Sequence, residues 1–518
     1  MLVAASAALF GYNATESFER PGHLFASSHY IHMRATAALV GALLVPLALL
    51  TGFASTKSNF VAVVTGTLVL SDVGMVTISQ YILLDSYLMF FMAATLCFWT
   101  AFCYMPSTET KFIGLFMVAF VGFGSLLQLW QRLKEGAFIS HFVARAFCLI
   151  LSPVLLYVII FYIHCRVLYK SGYGDGFFSA QFQASLRNNP LHSLTMPLVA
   201  GLPSSVSARH LLVLAASQTN QTWRVVLRTN ENQLTAIESR FLLINSQFNC
   251  ALHLSGYSLP KWGWEEGEIS CCPRTNSNRP GNSWLIENQH SDGIPSSLYR
   301  KVPIAGFWAK FLESHLVMFA LNSRIRATTH AHQTASKPWL WPLNYKGQPF
   351  CGGSQELRVY LLGTPVIWWL NAMVLVLAPF VWLAHAAWQK RALACGLPLS
   401  SLNQFWLSNR ISVLGWFWLC WFVHFAPFLL MSRVLYFHHY FPAAFIAHII
   451  SGVAIGSMLD CLAERRLLQR GLTVALVAVA IQSFLQFSPL CYGMRGPMSW
   501  ESPRSPHNKI RWLQSWEI

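Results

Sequence analysis

Charged side chains in or beside long apolar runs are the residues of this sequence that could do chemistry. Asp72 falls inside one run, Asp85 begins another, and Arg34 stands at the start of an earlier one. A charged group in or next to a bilayer is energetically costly, so each is a functional candidate. The alternatives are structural. A carboxylate at a helix N-terminus stabilises the helix by about 1 kcal/mol, which would suit Asp85, and Arg34 could be an interfacial anchor.

A second polar group is the segment 436–440, YFHHY, at the mouth of an apolar run. His438 and His439 are adjacent, so they point to different faces of a helix and do not form a metal pair by themselves. The sequence contains no HExxH motif and no Cys/His cluster with zinc spacing. We therefore expect no metal and no required cofactor.

Tryptophans cluster where the chain is predicted to re-enter the membrane. Trp339 and Trp341 lie in SKPWLWP, and Trp368 and Trp369 lie in GTPVIWW. We interpret them as an aromatic belt at the membrane interface. Stacking against a sugar is a second interpretation.

The composition places the elements that carry these residues in a membrane. The chain has 518 residues, of which 54% are hydrophobic and 11% are charged, whereas a soluble domain carries about 25% charged residues. A net charge of +16 would suit nucleic acid. The basic residues, however, lie in short connectors between apolar runs, as they do on the cytoplasmic side of membrane proteins. We expect a multi-pass membrane protein that does not bind nucleic acid.

Nine segments are long and apolar enough to span a hydrocarbon core, which takes about 20 residues. They are 35–55, 60–79, 84–105, 112–130, 143–165, 366–386, 411–431, 440–459 and 471–490. The basic connectors place the long polar block between the fifth and sixth spans in a lumen. The spans 84–105 and 112–130 would then run the same way, so we expect an irregularity near residues 106–111.

The polar block, about 170–360, has the features of a lumenal domain. Its segment 241–256 is typical of short β-strands with turns. Asn220 begins an N-glycosylation sequon there, and Asn13 begins another near the start of the chain. Disulfides and buried free thiols both remain open for its cysteines, which are Cys250, Cys271, Cys272 and Cys351.

Several long segments, in order along the chain, resemble the protein O-mannosyltransferase family. They are HMRATAALVGALLVP (32–46), YILLDS (81–86), SKPWLWPLNYKG (336–347), LRVYLLGTPVIWWLN (357–371), RVLYFHHYFPA (433–443) and the terminal WLQSWEI (512–518). The match covers most of the chain. Many members carry arginine at the position of Gln80. With glutamine there, the segment resembles the second of the two animal subfamilies.

The resemblance implies the fold and the domains. The fold would be a polytopic α-helical membrane protein of the GT-C glycosyltransferase type, with a lumenal β-rich insertion that holds part of a β-trefoil MIR region. The domains would be an N-terminal transmembrane region at 1–169, the insertion at 170–356, and a C-terminal transmembrane region with a lumenal tail at 357–518.

The resemblance also implies the activity. The family resides in the endoplasmic reticulum membrane and transfers mannose, with inversion, from dolichyl-phosphate mannose to Ser or Thr of proteins in the lumen. Animal members work as a heterodimer of two paralogues. The partners would therefore be the paralogue, the lipid donor, acceptor polypeptides and the membrane.

Residue by residue, the family's motifs fall on the polar groups described above. Arg34 matches the arginine expected near the donor phosphate, a role that suits bidentate recognition. Asp85 matches the acidic position of the LLD motif. His438, His439 and Tyr440 match a lumenal motif close to the active-site cavity.

The family's catalytic base is expected in an Asp-Glu pair that precedes an HPP motif, where a carboxylate takes the proton of the attacking hydroxyl. This sequence contains no Asp-Glu pair, and MLVAASAALFGYN resembles the segment on the C-terminal side of HPP. A span between LLDS and KFIGLF and most of the MIR region are also expected but missing. We therefore expect an incomplete version of a working enzyme, whose catalytic residues are unknown.

Two other functions compete with this one. The first is a catalytically deficient scaffold subunit of the heterodimer. The second is a transporter that uses Asp72 and Asp85 as an ion relay, although it would not explain the MIR-like insertion.

Overall fold

The computed structural model describes residues 2–12, 29–104, 138–171, 175–186, 195–199, 223–227, 234–235, 240–245, 249–258, 267–273, 280–284, 299–301, 304–324, 335–351, 357–395, 402–431, 434–499 and 501–518. The chain forms two compact units. We call residues 1–157 and 324–518 the helical unit, and residues 158–323 the insertion unit. The predicted division into three domains, at 169/170 and 356/357, stays a prediction.

The elements follow the apolar and alternating patterns of the sequence. The helices are α1 (Leu2–Leu9), α2 (His29–Ala42), α3 (Leu44–Thr56), α4 (Asn59–Leu70), α5 (Val73–Ser79), α6 (Leu84–Tyr104), α7 (Phe138–Ala146), α8 (Ser152–Val167), α9 (Ala180–Ala184), α10 (Phe307–Arg324), α11 (Pro365–Ala394), α12 (Leu402–Leu430), α13 (Phe441–Asp460), α14 (Arg466–Phe487) and α15 (Pro489–Tyr492). The strands are β1 (Thr195–Val199), β2 (Trp223–Leu227), β3 (Leu234–Thr235), β4 (Phe241–Asn245), β5 (Cys250–Ser258), β6 (Gly267–Pro273), β7 (Tyr299–Lys301), β8 (Gln348–Cys351) and β9 (Val359–Leu361).

Six helical stretches among the described residues are long and apolar enough to cross a membrane. They are Tyr30–Thr56, Leu84–Ala101, Pro365–Ala392, Asn409–Leu430, Phe437–Asp460 and Arg466–Tyr492. Each coincides with a predicted span, which confirms the prediction of a multi-pass membrane protein. The predicted span 143–165 falls in a helical stretch with a π-helical turn at Phe147–Leu151. The predicted span 112–130 and the irregularity near 106–111 lie outside the described residues.

The predicted span 60–79 is not one straight helix, because α4 and α5 meet at a bend of 61°. That the two helices together form one span stays a prediction. Asp72 lies at this break rather than inside a continuous helix. Its Oδ1 accepts a hydrogen bond from the backbone N–H of Gly74 at 3.2 Å and so caps α5. A buried carboxylate must be hydrogen-bonded, and the break lets Asp72 turn toward further donors.

Helix α13 lies at the centre of the helical core and packs on α4, α12 and α11. Its Gly452 and Gly456 face Thr65 and Val61 of α4 so closely that a Cβ at either glycine would collide. Small residues four positions apart allow two membrane helices to approach each other. The α4–α13 contact therefore depends on these two glycines.

The C-terminal tail belongs to a second buried cluster of the helical unit, which also contains Val73, Tyr360 and Phe487. Trp516 is fully buried, and its indole donates a hydrogen bond to the backbone oxygen of Asn344 at 2.9 Å. The Tyr360 hydroxyl, on β9, accepts hydrogen bonds from the backbone N–H groups of Gly347 at 3.1 Å and Glu517 at 3.3 Å. The tail thus holds the β8–β9 hairpin from one side.

The aromatic-belt interpretation is wrong for two of the four tryptophans. Trp341 and Trp368 are buried in the core, whereas Trp339 and Trp369 are exposed. Successive side chains point in different directions, so neighbouring tryptophans face opposite environments.

The insertion unit contains two small antiparallel sheets, with strand orders β3-β1-β7 and β2-β4-β5-β6. Phe241, Leu243 and Leu252 form the apolar core of the larger sheet. A disulfide joins Cys250 on β5 to Cys271 on β6, so the open choice between disulfide and thiol is settled for these two cysteines. The sheets are compatible with the predicted β-rich insertion.

Candidate active site

The first part of the site is the segment Gln80–Leu83, which joins α5 to α6. Arg34 on α2 donates a hydrogen bond from Nε to the backbone oxygen of Gln80 at 2.7 Å. Its guanidinium also lies over the Tyr81 ring, 5.6 Å from the centroid. The Arg34 side chain is exposed, and within the described part of the chain it makes no ion pair. Such a guanidinium can bind the oxygens of a phosphate.

Strand β8 connects this segment to the histidines. The Phe350 ring contacts the Tyr81 ring, with 5.1 Å between their centroids. Gln348 lies two residues earlier, and its Oε1 is 3.1 Å from Nδ1 of His438. The same oxygen accepts a hydrogen bond from the His438 backbone N–H at 3.4 Å. The amide of Gln348 therefore sets the orientation of the His438 ring.

His439 lies beside His438 and is close enough to Asp85 for an electrostatic interaction. Nδ1 of His439 accepts a hydrogen bond from the Tyr436 backbone N–H at 3.0 Å, and its ring lies 4.3 Å from that of His438. Asp85, in the first turn of α6, interacts electrostatically with His439. A carboxylate near an imidazole favours the protonated ring and can exchange protons through it. The role of Asp85 in the site stays a prediction.

Tyr440 occupies a different environment. Its side chain is buried, and its hydroxyl accepts a hydrogen bond from the Trp421 indole at 3.2 Å. Its ring packs near Trp368 and Phe425. Tyr440 lies in the core behind the histidines, and its predicted place in the active-site cavity stays a prediction.

The structure thus links Arg34, His438 and His439 through one chain of contacts, and Asp85 interacts electrostatically with His439. We call this set the polar site: Arg34, Gln80, Tyr81, Asp85, Gln348, His438 and His439. The glycosylation candidates Asn13 and Asn220 lie outside the described residues. No group of three or more His, Cys, Asp and Glu side chains that could hold a metal occurs in the part of the chain that the structure describes.

Sequence reasoning missed Gln348 and the partners of Asp72. Gln348 is uncharged and belongs to no motif, although it is the next residue after the matched segment 336–347. Asp72 accepts hydrogen bonds from the Thr364 backbone N–H at 2.9 Å and from the Trp368 indole at 3.0 Å. Its Oδ2 also lies 3.4 Å from Nε2 of His448. No local signal pairs residues so distant in the sequence.

Membrane-spanning helices with a polar site near their ends are compatible with a membrane glycosyltransferase, and comparison with known proteins assigns the class. The chain belongs to the protein O-mannosyltransferase family. Residues 1–110 and 107–169 match the family model "Dolichyl-phosphate-mannose-protein mannosyltransferase", and residues 307–516 match "C-terminal four TMM region of protein-O-mannosyltransferase". The first match comes in two pieces that meet where the sequence predicts an irregularity.

Relatives match over the whole chain. The chain is 31% identical to protein O-mannosyl-transferase 2 of Drosophila pseudoobscura pseudoobscura, covering 100% of this chain and 88% of that protein. It is 32% identical to protein O-mannosyl-transferase 2 of Danio rerio, covering 100% of this chain and 84% of that protein. The first alignment extends over 669 positions, more than the 518 residues of this chain, so that relative has internal segments that this chain lacks.

The fold also matches a solved structure. The chain superposes, with a TM-score of 0.80 and 22% identity, on a chain of the S. cerevisiae protein O-mannosyltransferase Pmt1-Pmt2 complex bound to the sugar donor. The match covers 100% of this chain and 85% of the yeast chain. These findings confirm the predicted family, the GT-C fold and the enzyme class, a membrane glycosyltransferase of protein O-mannosylation.

Proposed function

We propose that this chain transfers mannose from dolichyl-phosphate mannose to Ser or Thr of polypeptides in the lumen of the endoplasmic reticulum. Family membership over the full chain carries this proposal. The polar site supports it, because an exposed guanidinium and two imidazoles lie along one chain of contacts, and the Asp85 carboxylate interacts electrostatically with one of the imidazoles.

In this proposal Arg34 binds the donor phosphate. Its Nε bond to Gln80 fixes the guanidinium, so little side-chain entropy is lost when the phosphate binds. Asp85 and His439 stabilise charge that develops as the bond between mannose and phosphate breaks. The acceptor hydroxyl must lose a proton during attack, and no residue of the polar site is assigned that step.

The proposal includes a paralogous subunit. The yeast structure of the same fold is a Pmt1-Pmt2 complex with the sugar donor bound. By analogy, we propose that this chain works in a complex with a paralogue of its own family.

The test is mannosyl transfer by membranes that contain the chain together with its paralogue. Labelled dolichyl-phosphate mannose is the donor, a Ser/Thr-rich peptide is the acceptor, and membranes with the paralogue alone are the control. We expect the chain to raise incorporation and Arg34→Gln to remove most of the gain. No gain over the paralogue alone would refute the proposal.

A scaffold function is the second candidate, because no Asp-Glu pair occurs in the 518 residues. The same assay separates the two functions. If the chain is a scaffold, the wild type and the Arg34→Gln variant should raise transfer by the paralogue to the same extent. An enzyme would lose that gain with the variant.

A further inference from the structure

A cavity in the insertion unit lies outside the polar site. It has a volume of about 530 Å³ and lies among α8, the turn after it, and α10. Among the described residues, two cations, Arg166 and Lys310, line it together with the uncharged Tyr162, Cys165, Tyr169, Ser185 and Phe307.

The two cations have no carboxylate partner within the described residues. Arg166 donates from Nε and Nη2 to the Tyr162 hydroxyl, at 3.1 and 2.8 Å. Lys310 lies over the Phe182 ring, 5.8 Å from its centroid. The nearest acid along α10 is Glu313, whose two oxygens accept hydrogen bonds from the N–H and hydroxyl of Ser179. The cavity is therefore positively charged.

Burial adds to the need for an anion. Lys310 is half-buried, and desolvation lowers the pKa of its ammonium, with a smaller opposing effect from Cys165. A half-buried cation without a counter-ion carries part of the cost of a buried one, whereas the exposed Arg166 carries little of it. An anion in the cavity would remove this cost and accept hydrogen bonds from both side chains.

Exposed apolar side chains lie beside the cavity on α8, whereas those of α10 lie on the face of that helix opposite to Phe307 and Lys310. Helix α8 buries none of its residues within the described part of the chain, and Ile159, Ile163 and Val167 are exposed. On α10, Trp308, Leu312, Leu316 and Phe319 form an exposed stripe at spacings of four, four and three residues. Such a stripe is typical of a helix that lies at a membrane surface.

The rings between the helices hold this arrangement together. Phe161 packs edge-on against Phe311 with 4.9 Å between centroids, and Tyr162 against Phe307 with 5.3 Å. Aromatic and basic side chains concentrate at the level of lipid headgroups. A phosphate in the cavity could thus meet the two cations while acyl or prenyl chains cover the exposed apolar side chains of α8.

We propose that the cavity formed by Tyr162, Arg166, Tyr169 and Lys310 binds the phosphate headgroup of a membrane lipid. Arg166 and Lys310 would hold the phosphate oxygens, and the tyrosine hydroxyls would complete the hydrogen bonds. The phosphate could belong to a glycerophospholipid or to a prenyl phosphate.

The test is native mass spectrometry of the purified full chain with its paralogue in detergent. The probes are dioleoyl phosphatidic acid, dolichyl phosphate and, as the neutral reference, dioleoyl phosphatidylcholine. We expect a phosphate lipid to be retained and the Arg166→Gln/Lys310→Gln variant to lose about tenfold or more of that retention. The variant Arg166→Lys/Lys310→Arg keeps both charges and should retain most of it. The matched control is Arg495→Gln/Lys509→Gln, which removes two exposed charges elsewhere.

The outcomes separate the sources. Retention of phosphatidic acid alone assigns a glycerophospholipid, and retention of dolichyl phosphate alone assigns a prenyl phosphate; either supports the site. Equal retention of phosphatidic acid and phosphatidylcholine would overturn it, as would unchanged retention by Arg166→Gln/Lys310→Gln. Displacement of the lipid by glycerol 3-phosphate at equal concentration would show that the tail contributes nothing and would overturn the lipid assignment.

Discussion

Asp72 stabilises the break between α4 and α5, which precedes the polar-site segment Gln80–Leu83. Replacing the Asp72 carboxylate should therefore destabilise the helical unit. The carboxylate is fully buried and accepts hydrogen bonds from the N–H groups of Gly74, Thr364 and the Trp368 indole. Leaving a buried donor without an acceptor costs about 1–3 kcal/mol. With three donors affected, Asp72→Ala should lower the free energy of unfolding by about 3–6 kcal/mol, since the surroundings relax around part of the loss.

Asp72→Asn provides a graded comparison. The amide keeps one carbonyl oxygen and replaces the other with a donor, so we expect a loss of about 1–3 kcal/mol. Because α5 leads directly to Gln80 and Asp85, both variants should also lower mannosyl transfer.

The assay is unfolding of the purified full chain in detergent, monitored by tryptophan fluorescence. Glu464→Ala, which removes an exposed carboxylate between α13 and α14, is the matched control and should change little. The reasoning is wrong if the Asp72→Ala variant has the same free energy of unfolding as the Glu464→Ala control. If Asp72→Ala and Asp72→Asn lower the free energy of unfolding equally, the negative charge of Asp72 matters and not the hydrogen bonds that it accepts.

The same contacts lead to four further predictions. Arg34→Gln should raise the KM for dolichyl-phosphate mannose about tenfold without changing the unfolding midpoint, because Arg34 is exposed; Arg34→Lys should be milder. Asp85→Asn and His439→Gln should couple by about 1 kcal/mol or more in a double-mutant cycle on kcat/KM. Trp516→Ala should lower the free energy of unfolding by about 3–5 kcal/mol, because the indole is fully buried. Cys250→Ser should destabilise the larger sheet by about 2–4 kcal/mol, as seen by limited proteolysis.

Each of these has a contradicting result. A fall in kcat with an unchanged donor KM would remove Arg34 from phosphate binding. Additive effects of the two variants would mean that Asp85 and His439 act independently. Wild-type unfolding of the Trp516 variant would show that the tail is not part of the core, and unchanged proteolysis in reductant would argue against the disulfide.

The sequence predicted the membrane spans well because hydrophobicity over about 20 residues is a local property. Six predicted spans coincide with apolar helices. The predicted span 60–79 differs, because its apolar run contains a bend between α4 and α5. Ser71 and Asp72 are compatible with either arrangement, and the choice depends on donors from Thr364 and Trp368, which lie far along the chain.

The sequence by itself determined the class of protein, the family and most helices, because long apolar runs and long ordered motifs are readable without contacts. Only the tertiary structure decided that Arg34, Asp85 and the two histidines share one site, and that Tyr440 and Trp368 turn into the core. The motif YFHHY contains residues of both kinds, because His438 and His439 belong to the polar site and Tyr440 lies in the core. The direction of each side chain depends on what packs against it, and those partners, Gln348 and Trp421 among them, come from distant parts of the chain.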